Sequence, residues 1–277
     1  MPIIMKSTRS EPCQPADFQS AWSVIKDLRR VRDAPVDLWG CDQVVDKSAP
    51  RDVFEFQTLV AAMLSSQTKD QCVKRAMDAL LVSDLSVEGI LAMSETEIDE
   101  KIKMVGFHTT KARNIRAVGR IIKEEYGGSV PADFDKLILL PGVGPKMANL
   151  VMSCAFGKSS GICVDTHVHR ISSVLGWGCT KCKPTCKNPE HTRQVLENWV
   201  PHEMWREFTY MLVGLGQMQQ GARETLLTRC LQTEDPIAGL KLLKRIKFNF
   251  RNLDLAAIAE RAACDNEQVL AYLEKLG

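Results

Sequence analysis

Apolar residues recur every third or fourth position along almost the whole chain, and that period admits little but helices. Phe18, Trp22, Ile25 and Leu28 share one face of residues 18–32. Val53, Phe56, Val60, Met63 and Leu64 share one face of residues 53–64. Residues 69–82, 86–93, 95–103, 109–125, 134–139, 145–156, 166–176, 190–198 and 202–215 follow the same rule, many of them separated by Gly, Pro, Asp or Ser. Residues 254–264 and 266–275 read as two short helices, with Asp254 and either Asp265 or Asn266 as N-caps. No segment alternates as a run of strands does. The pattern predicts a compact all-α fold.

The chain has 277 residues, 45% hydrophobic and 25% charged, enough for one large domain or two ordinary ones. Its net charge is +2, so affinity for nucleic acid has to come from local patches. No apolar run is long enough to span a membrane, and MPIIMKSTRSEPC has a short apolar start without a signal-peptide core. The ten cysteines are scattered and read as reduced thiols. Cys72, Cys154 and Cys163 lie in apolar stretches, as small buried hydrophobes do.

The most informative string is LPGVGPKMANL, residues 140–150. Gly142 and Gly144 allow a tight turn, and Pro145 suits the first position of a helix. Asp133 can cap the short helix before the turn, so residues 133–156 read as helix, hairpin, helix. Backbone amides at such a helix start form an anion site, with phosphate the natural guest. Lys146 falls in the first helical turn, where the helix already carries positive partial charge. A lysine placed there is an oddity that packing alone does not explain.

With LPGVGPKMANLVMSCAFG (140–157) and VDTHVHRISSVLGW (164–177), the sequence resembles a DNA glycosylase of the helix-hairpin-helix superfamily, and more narrowly the eukaryotic endonuclease III homologues. MLSSQTKDQ (63–71), VGFHTTKARNI (105–115) and WREFTYMLVGLGQ (205–217) extend the resemblance over residues 20–217. It implies two helical domains flanking a DNA-binding cleft: residues 48–158 as a six-helix domain, and residues 18–47 plus 159–235 as its partner. Residues 1–17 are expected to be a flexible N-terminus, and residues 236–277 a basic segment with a short helical tail of unassigned role. It also implies excision of oxidised pyrimidines such as thymine glycol from double-stranded DNA, with lyase cleavage at abasic sites. Lys146 is then the nucleophile and Asp165 its electrostatic partner or proton acceptor. A monomer without membrane contact is expected, in the nucleus and also the mitochondrion.

The chemistry accounts for the lysine. A free lysine has a pKa of about 10.4, so only about one in a thousand is neutral and nucleophilic at pH 7. A helix N-terminus disfavours the ammonium slightly, and desolvation in a closed cleft disfavours it much more. The position that the helix disfavours is one that an attacking amine can use. Asp165 acts in the opposite direction on that pKa, so its expected value lies in stabilising positive charge developing on the sugar. It can equally be the N-cap of the helix over 166–176.

Reaching C1′ requires extrusion of the nucleotide. By resemblance, Gln67 fills the vacated stack and Phe107 wedges the opened step, with core packing the alternative for Phe107. Gly142, Val143, Gly144, His167, Lys111 and Arg113 complete the expected DNA-binding set. A solvated helix face accounts for Lys111 and Arg113 equally well.

The chain departs from the family in two places. After Gly216–Gln217, where many members hold a 4Fe–4S cluster on four cysteines, only Cys230 lies nearby and Cys264 follows much later. Four thiolates cannot be gathered there, so no cluster and no other cofactor is predicted. The basic residues Lys241, Lys244, Arg245, Lys247 and Arg251 either replace the lost charge or form a solvated face. Second, Cys179, Cys182, Cys186 and His191 have a zinc-like spacing, in a loop over residues 176–189 with no family counterpart. Two alternatives stand beside the main reading: a monofunctional glycosylase for mismatched or alkylated bases, and an inactive DNA-binding scaffold.

Overall fold

The computed structural model describes residues 14–178 and 188–276. Among them every regular element is a helix. In chain order these are α1 (Phe18–Leu28), α2 (Pro35–Trp39), α3 (Arg51–Ser65), α4 (Asp70–Leu81), α5 (Val87–Ala92), α6 (Glu95–Ile102), α7 (His108–Tyr126), α8 (Phe134–Leu137) and α9 (Pro145–Phe156). Then come α10 (Thr166–Val174), α11 (Pro189–Glu197), a 3₁₀ turn (His202–Met204), α12 (Trp205–Gly221), α13 (Arg223–Leu231), α14 (Pro236–Arg245), α15 (Leu255–Arg261) and α16 (Glu267–Glu274).

The helix starts follow capping chemistry. Ser94 and Glu97 form a reciprocal capping box on α6. Asp133, Asn188, Asp235, Asp254 and Asn266 each accept a backbone N–H in the first turn of the helix that follows. Asn266, not Asp265, caps the last helix. Gly127 and Gly157 end α7 and α9 in the left-handed conformation.

Two hydrophobic cores result. One is built from α3 to α9, around Phe56, Leu59, Leu64, Met77, Ile115 and Val151. The other joins α1 to α10 through α16, around Phe18, Trp22, Trp177, Trp199 and Phe208, whose rings stack or meet edge to face. The short helix α2 bridges them: Ala34 belongs to the second core, whereas Trp39 packs against the first. It is held by Arg29, a fully buried arginine paired with Asp37 at 2.5 Å. Gly214 makes that burial possible, because a Cβ there would sit 2.1 Å from the Arg29 guanidinium.

The segment after residue 236 differs from its expected place outside the second domain. Leu240, Leu242, Leu243, Ile246, Phe248 and Phe250 are buried in the second core, together with Ile258, Val269 and Leu273. The basic residues between them alternate outward: Lys241, Lys244 and Lys247 are exposed. Arg245 instead donates to the Leu175 carbonyl at 2.6 Å and pairs with Asp17. The charge run hid an amphipathic helix, because the lysines and arginines interrupt its apolar residues and only their spacing reveals the face.

Candidate active site

The hairpin between α8 and α9 is shaped by one glycine and left bare by another. Gly142 has φ +76, a conformation that strains any residue with a Cβ, and a Cβ there would lie 2.5 Å from Asn114 Nδ2 of α7. Gly144 needs no such conformation, since its φ is −100 and ψ 175. A Cβ at Gly144 would meet nothing within 4 Å. The fold therefore does not demand glycine there; its absent side chain leaves the backbone uncovered at the start of α9, as an anion site requires. Val143 is different from its expected DNA-facing role. Its side chain is buried in the first core, and its N–H donates to the Leu140 carbonyl at 3.1 Å.

Lys146 is the second residue of α9 and is exposed, yet it is ringed by Cys163, Asp165, Cys41 and Asp70. That is the setting of a group on the floor of an open cleft. Desolvation lowers its pKa, while Cys163, Asp165, Cys41 and Asp70 raise it, with a net upward direction. The two cysteines act on it only as thiolates. Burial pushes Cys163 up to about 11 and Cys41 well above its ordinary value, so both are neutral thiols at physiological pH. There the contest is between desolvation and the two carboxylates alone.

Asp165 stands at the N-cap of α10, where its Oδ1 accepts the Val168 N–H at 2.8 Å. The capping role and a position beside Lys146 hold together. His167, the second residue of α10, is half-buried, and burial lowers its pKa against the pull of Asp165. It lies flat on α12 because position 216 is glycine: a Cβ there would sit 2.4 Å from His167 Nδ1.

Sequence analysis did not single out Asp70, and the structure brings it into the site. Its Oδ2 accepts from Gln217 Nε2 at 2.7 Å, and Gln217 Oε1 accepts the Val36 N–H at 2.8 Å. One side chain of α12 thus ties α4 of the first core to the bridging helix α2. Burial raises the Asp70 carboxyl above its ordinary value, opposed by the Gln217 hydrogen bond and by Lys146. Folding consequently favours the protonated acid. The stabilisation from this group is complete below about pH 3.8 and is lost as pH rises through the raised folded value. Asp70→Asn keeps an acceptor for Gln217 and removes the buried charge. It is expected to raise the melting temperature at pH 7, with the gain shrinking towards pH 4, while slowing catalysis; melting curves at both pH values check this.

Gln67 and Phe107 sit on neighbouring loops, both exposed and both in the left-handed region at φ +50 and +57. Phe107 is 66% exposed, which removes core packing as its explanation. Arg113 is exposed on α7. Lys111 corrects the expectation of a phosphate contact. It is buried, and its Nζ donates to Leu64 O at 2.8 Å, Ser66 O at 2.7 Å and Thr68 Oγ1 at 3.0 Å. Those three bonds exhaust an ammonium's donors.

Residues 60–202 match the HhH-GPD superfamily of base excision DNA repair proteins. The chain is a member of that superfamily. It is 45% identical to endonuclease III-like protein 1 of Gallus gallus over 204 residues, covering 74% of this chain and 71% of the relative. It spans about two thirds of the length of the corresponding Bos taurus and Mus musculus proteins. Among solved structures it resembles a non-covalent endonuclease III–DNA complex at TM-score 0.59 and 29% identity, covering 72% of this chain and 85% of that one. A trapped endonuclease III–DNA covalent intermediate aligns at TM-score 0.57 and 28% identity, covering 70% and 84%. As an endonuclease III homologue, this HhH-GPD protein falls among the DNA glycosylases of base excision repair.

Among the described residues, those after Gly216–Gln217 do not fit an iron–sulfur cluster. After Gly216–Gln217 the chain stays helical to Gly221, and α13 begins at Arg223. Cys230 is fully buried beneath α14, its Sγ 3.9 Å from the Pro236 carbonyl, and burial pushes its thiol far from ionisation. Among the described residues no group of three or more His, Cys, Asp or Glu is placed to hold a metal. Instead, Arg170 of α10 donates to Gln219 Oε1 at 2.8 Å, and Gln219 Nε2 donates to the Ile246 carbonyl at the end of α14 at 2.9 Å. Of the zinc-like set, Cys179, Cys182 and Cys186 lie outside the described residues; His191 is in the first turn of α11, its N–H bonded to the cap Asn188 at 2.8 Å.

Proposed function

We propose that this endonuclease III homologue is a bifunctional DNA glycosylase and abasic-site lyase that acts on oxidised pyrimidines, thymine glycol among them, in double-stranded DNA. The observation that carries the reading is the meeting of two helix starts: Lys146 opening α9 beside an uncovered hairpin backbone, and Asp165 capping α10 within electrostatic reach of it. The hairpin amides take a phosphate of the damaged strand, and Gln67 and Phe107 enter the duplex while the nucleotide swings into the cleft.

DNA covering the cleft completes the desolvation of Lys146 and favours its neutral amine. The Nζ lone pair then attacks C1′, and the glycosidic bond breaks with its electron pair leaving on the base. Asp165 stabilises the cationic character of the sugar as that bond lengthens. Loss of the second amine proton and opening of the sugar ring give an iminium between C1′ and Nζ. Removal of a C2′ proton expels the 3′ phosphate and nicks the strand, and water finally releases the lysine. Asp165, and Asp70 with its raised proton affinity, are the bases at hand for these transfers.

Borohydride reduces an iminium to a stable amine, so trapping on a thymine glycol duplex tests the reading directly. Protein purified from iron-depleted medium is expected to yield a covalent adduct and a nicked strand as efficiently as protein from iron-replete medium. Free base without adduct would replace the lyase with a monofunctional glycosylase, and tight binding without either product would leave a scaffold.

A further inference from the structure

Gln67 and Phe107 are 40 residues apart in sequence, yet a single buried node joins their loops. The Lys111 ammonium donates to Leu64 O, the last turn of α3, and to Ser66 O and Thr68 Oγ1 on either side of Gln67. Thr68 Oγ1 also accepts the Gly106 N–H at 3.2 Å, directly before Phe107, and donates to Ser66 O at 3.1 Å. The hydroxyl thereby uses its one proton and both lone pairs. Lys111 itself rises from the helix that Phe107 starts, its own N–H bonded to the Phe107 carbonyl at 3.0 Å. Contact between the loops is close enough that a Cβ on Gly106 would lie 2.8 Å from the Gln67 carbonyl oxygen.

Two features show that the node serves more than packing. Both residues that it flanks are non-glycine residues in the left-handed region, a conformation that costs free energy and persists only where neighbours over-determine it. And the lysine is buried without a carboxylate partner: burial alone lowers its pKa to about 8. A buried cation is costly unless its donors are all satisfied, and here the acceptors are the backbone of one exposed loop and the hydroxyl that grips the other.

We infer that Lys111 and Thr68 form a brace that holds Gln67 and Phe107 as one pre-formed pair, so that both enter the duplex together. The inference rests on the reading of Gln67 and Phe107 as inserting residues. Lys111 and Thr68 are positioning residues: neither is placed to touch the reacting sugar. The brace matters where a stacked, paired nucleotide has to be forced out. It matters little where the sugar is already accessible, as at an abasic site in a single strand.

The test compares Lys111→Met, Thr68→Val and Thr68→Ser with wild type, alongside Gln67→Ala and Phe107→Ala. Single-turnover excision is measured on a thymine glycol duplex, and strand cleavage on a single-stranded abasic oligonucleotide. A 2-aminopurine opposite the lesion reports unstacking by its fluorescence. Thr68→Val and Lys111→Met are expected to slow duplex excision by about tenfold to a hundredfold, the range that loss of positioning commonly produces. They should blunt the fluorescence rise and leave single-strand cleavage nearly unchanged, and Thr68→Ser should restore both duplex readouts. Should Lys111→Met fail to fold, Thr68→Val carries the test alone. Equal losses on the two substrates would reduce the node to ordinary stability. Undiminished duplex excision by Thr68→Val, with Gln67→Ala and Phe107→Ala impaired, would overturn the brace alone. If those two alanine variants are also unimpaired, the inserting-residue reading falls and the brace with it.

Discussion

Replacing Lys146 by glutamine is expected to abolish borohydride trapping and to slow base release by about 10³-fold or more, the scale on which loss of a nucleophile is usually felt. Glutamine nearly matches the length of the side chain but offers no amine lone pair. The variant should nevertheless fold with little change in stability, because the helix dipole opposes the cation while Asp165 and Asp70 favour it. Lys146 places a cation in the first turn of α9, where the helix dipole opposes it by roughly a few tenths of a kcal/mol. It is exposed, and the structure gives it no hydrogen bond through Nζ that its removal would break. The paired outcome, inactive and undiminished in melting temperature, separates a residue kept for chemistry from one kept for folding. A variant that still traps on the duplex would transfer the nucleophile to another amine and dismantle the proposed mechanism.

Asp165→Asn and Asp165→Ala divide the two roles of the aspartate. Asparagine is as good an N-cap as aspartate and can accept the same Val168 N–H. It therefore keeps the start of α10 while removing the charge beside Lys146. Base release is expected to fall by about 10²–10³-fold, the range seen when one electrostatic stabiliser is lost, with affinity for intact lesion DNA nearly unchanged. Alanine should show the same catalytic loss and in addition destabilise the protein by about 1 kcal/mol, because the cap disappears too. Single-turnover kinetics and denaturant unfolding on both variants read the two effects separately. If Asp165→Asn released base at the wild-type rate, the aspartate would be a cap alone.

Much of this was legible in the residues because the decisive signals are local. The 3.6-residue period placed α3, α7 and α9 closely, and Pro145 fixed the start of α9 to the residue. Lys146 and Asp165 stood out in the sequence because each opens a helix beside a distinctive string. Asp70 and Gln217 were not, because their relationship is a 2.7 Å bond between residues 147 positions apart, invisible to any window. Lys111 was misread for the same reason: beside Arg113 it looked like a phosphate contact or part of a solvated basic face, yet the helix turns it inward onto the Leu64 carbonyl of α3 and the Ser66 carbonyl just beyond it. The helix α14 was obscured by its lysines, and α2 is too short for periodicity to register.

The second core closes only when α1 meets α14, and these helices lie more than 200 residues apart in the chain. The first core draws its buried residues from one continuous stretch, Cys41 to Ala155. During synthesis the seven-helix unit from α3 to α9 can therefore fold, hairpin and lysine included, while Trp22 and Phe18 still await their partners. Long-range closure of this kind is slow compared with local helix packing. Topology thus sets the order on the ribosome: the hairpin with Lys146 is built early, and α10, which Asp165 caps, is anchored later. An unfinished chain presents the hairpin turn without the opposing wall of its cleft, and Lys146 meets Asp165 in its final setting only after α14 has been made.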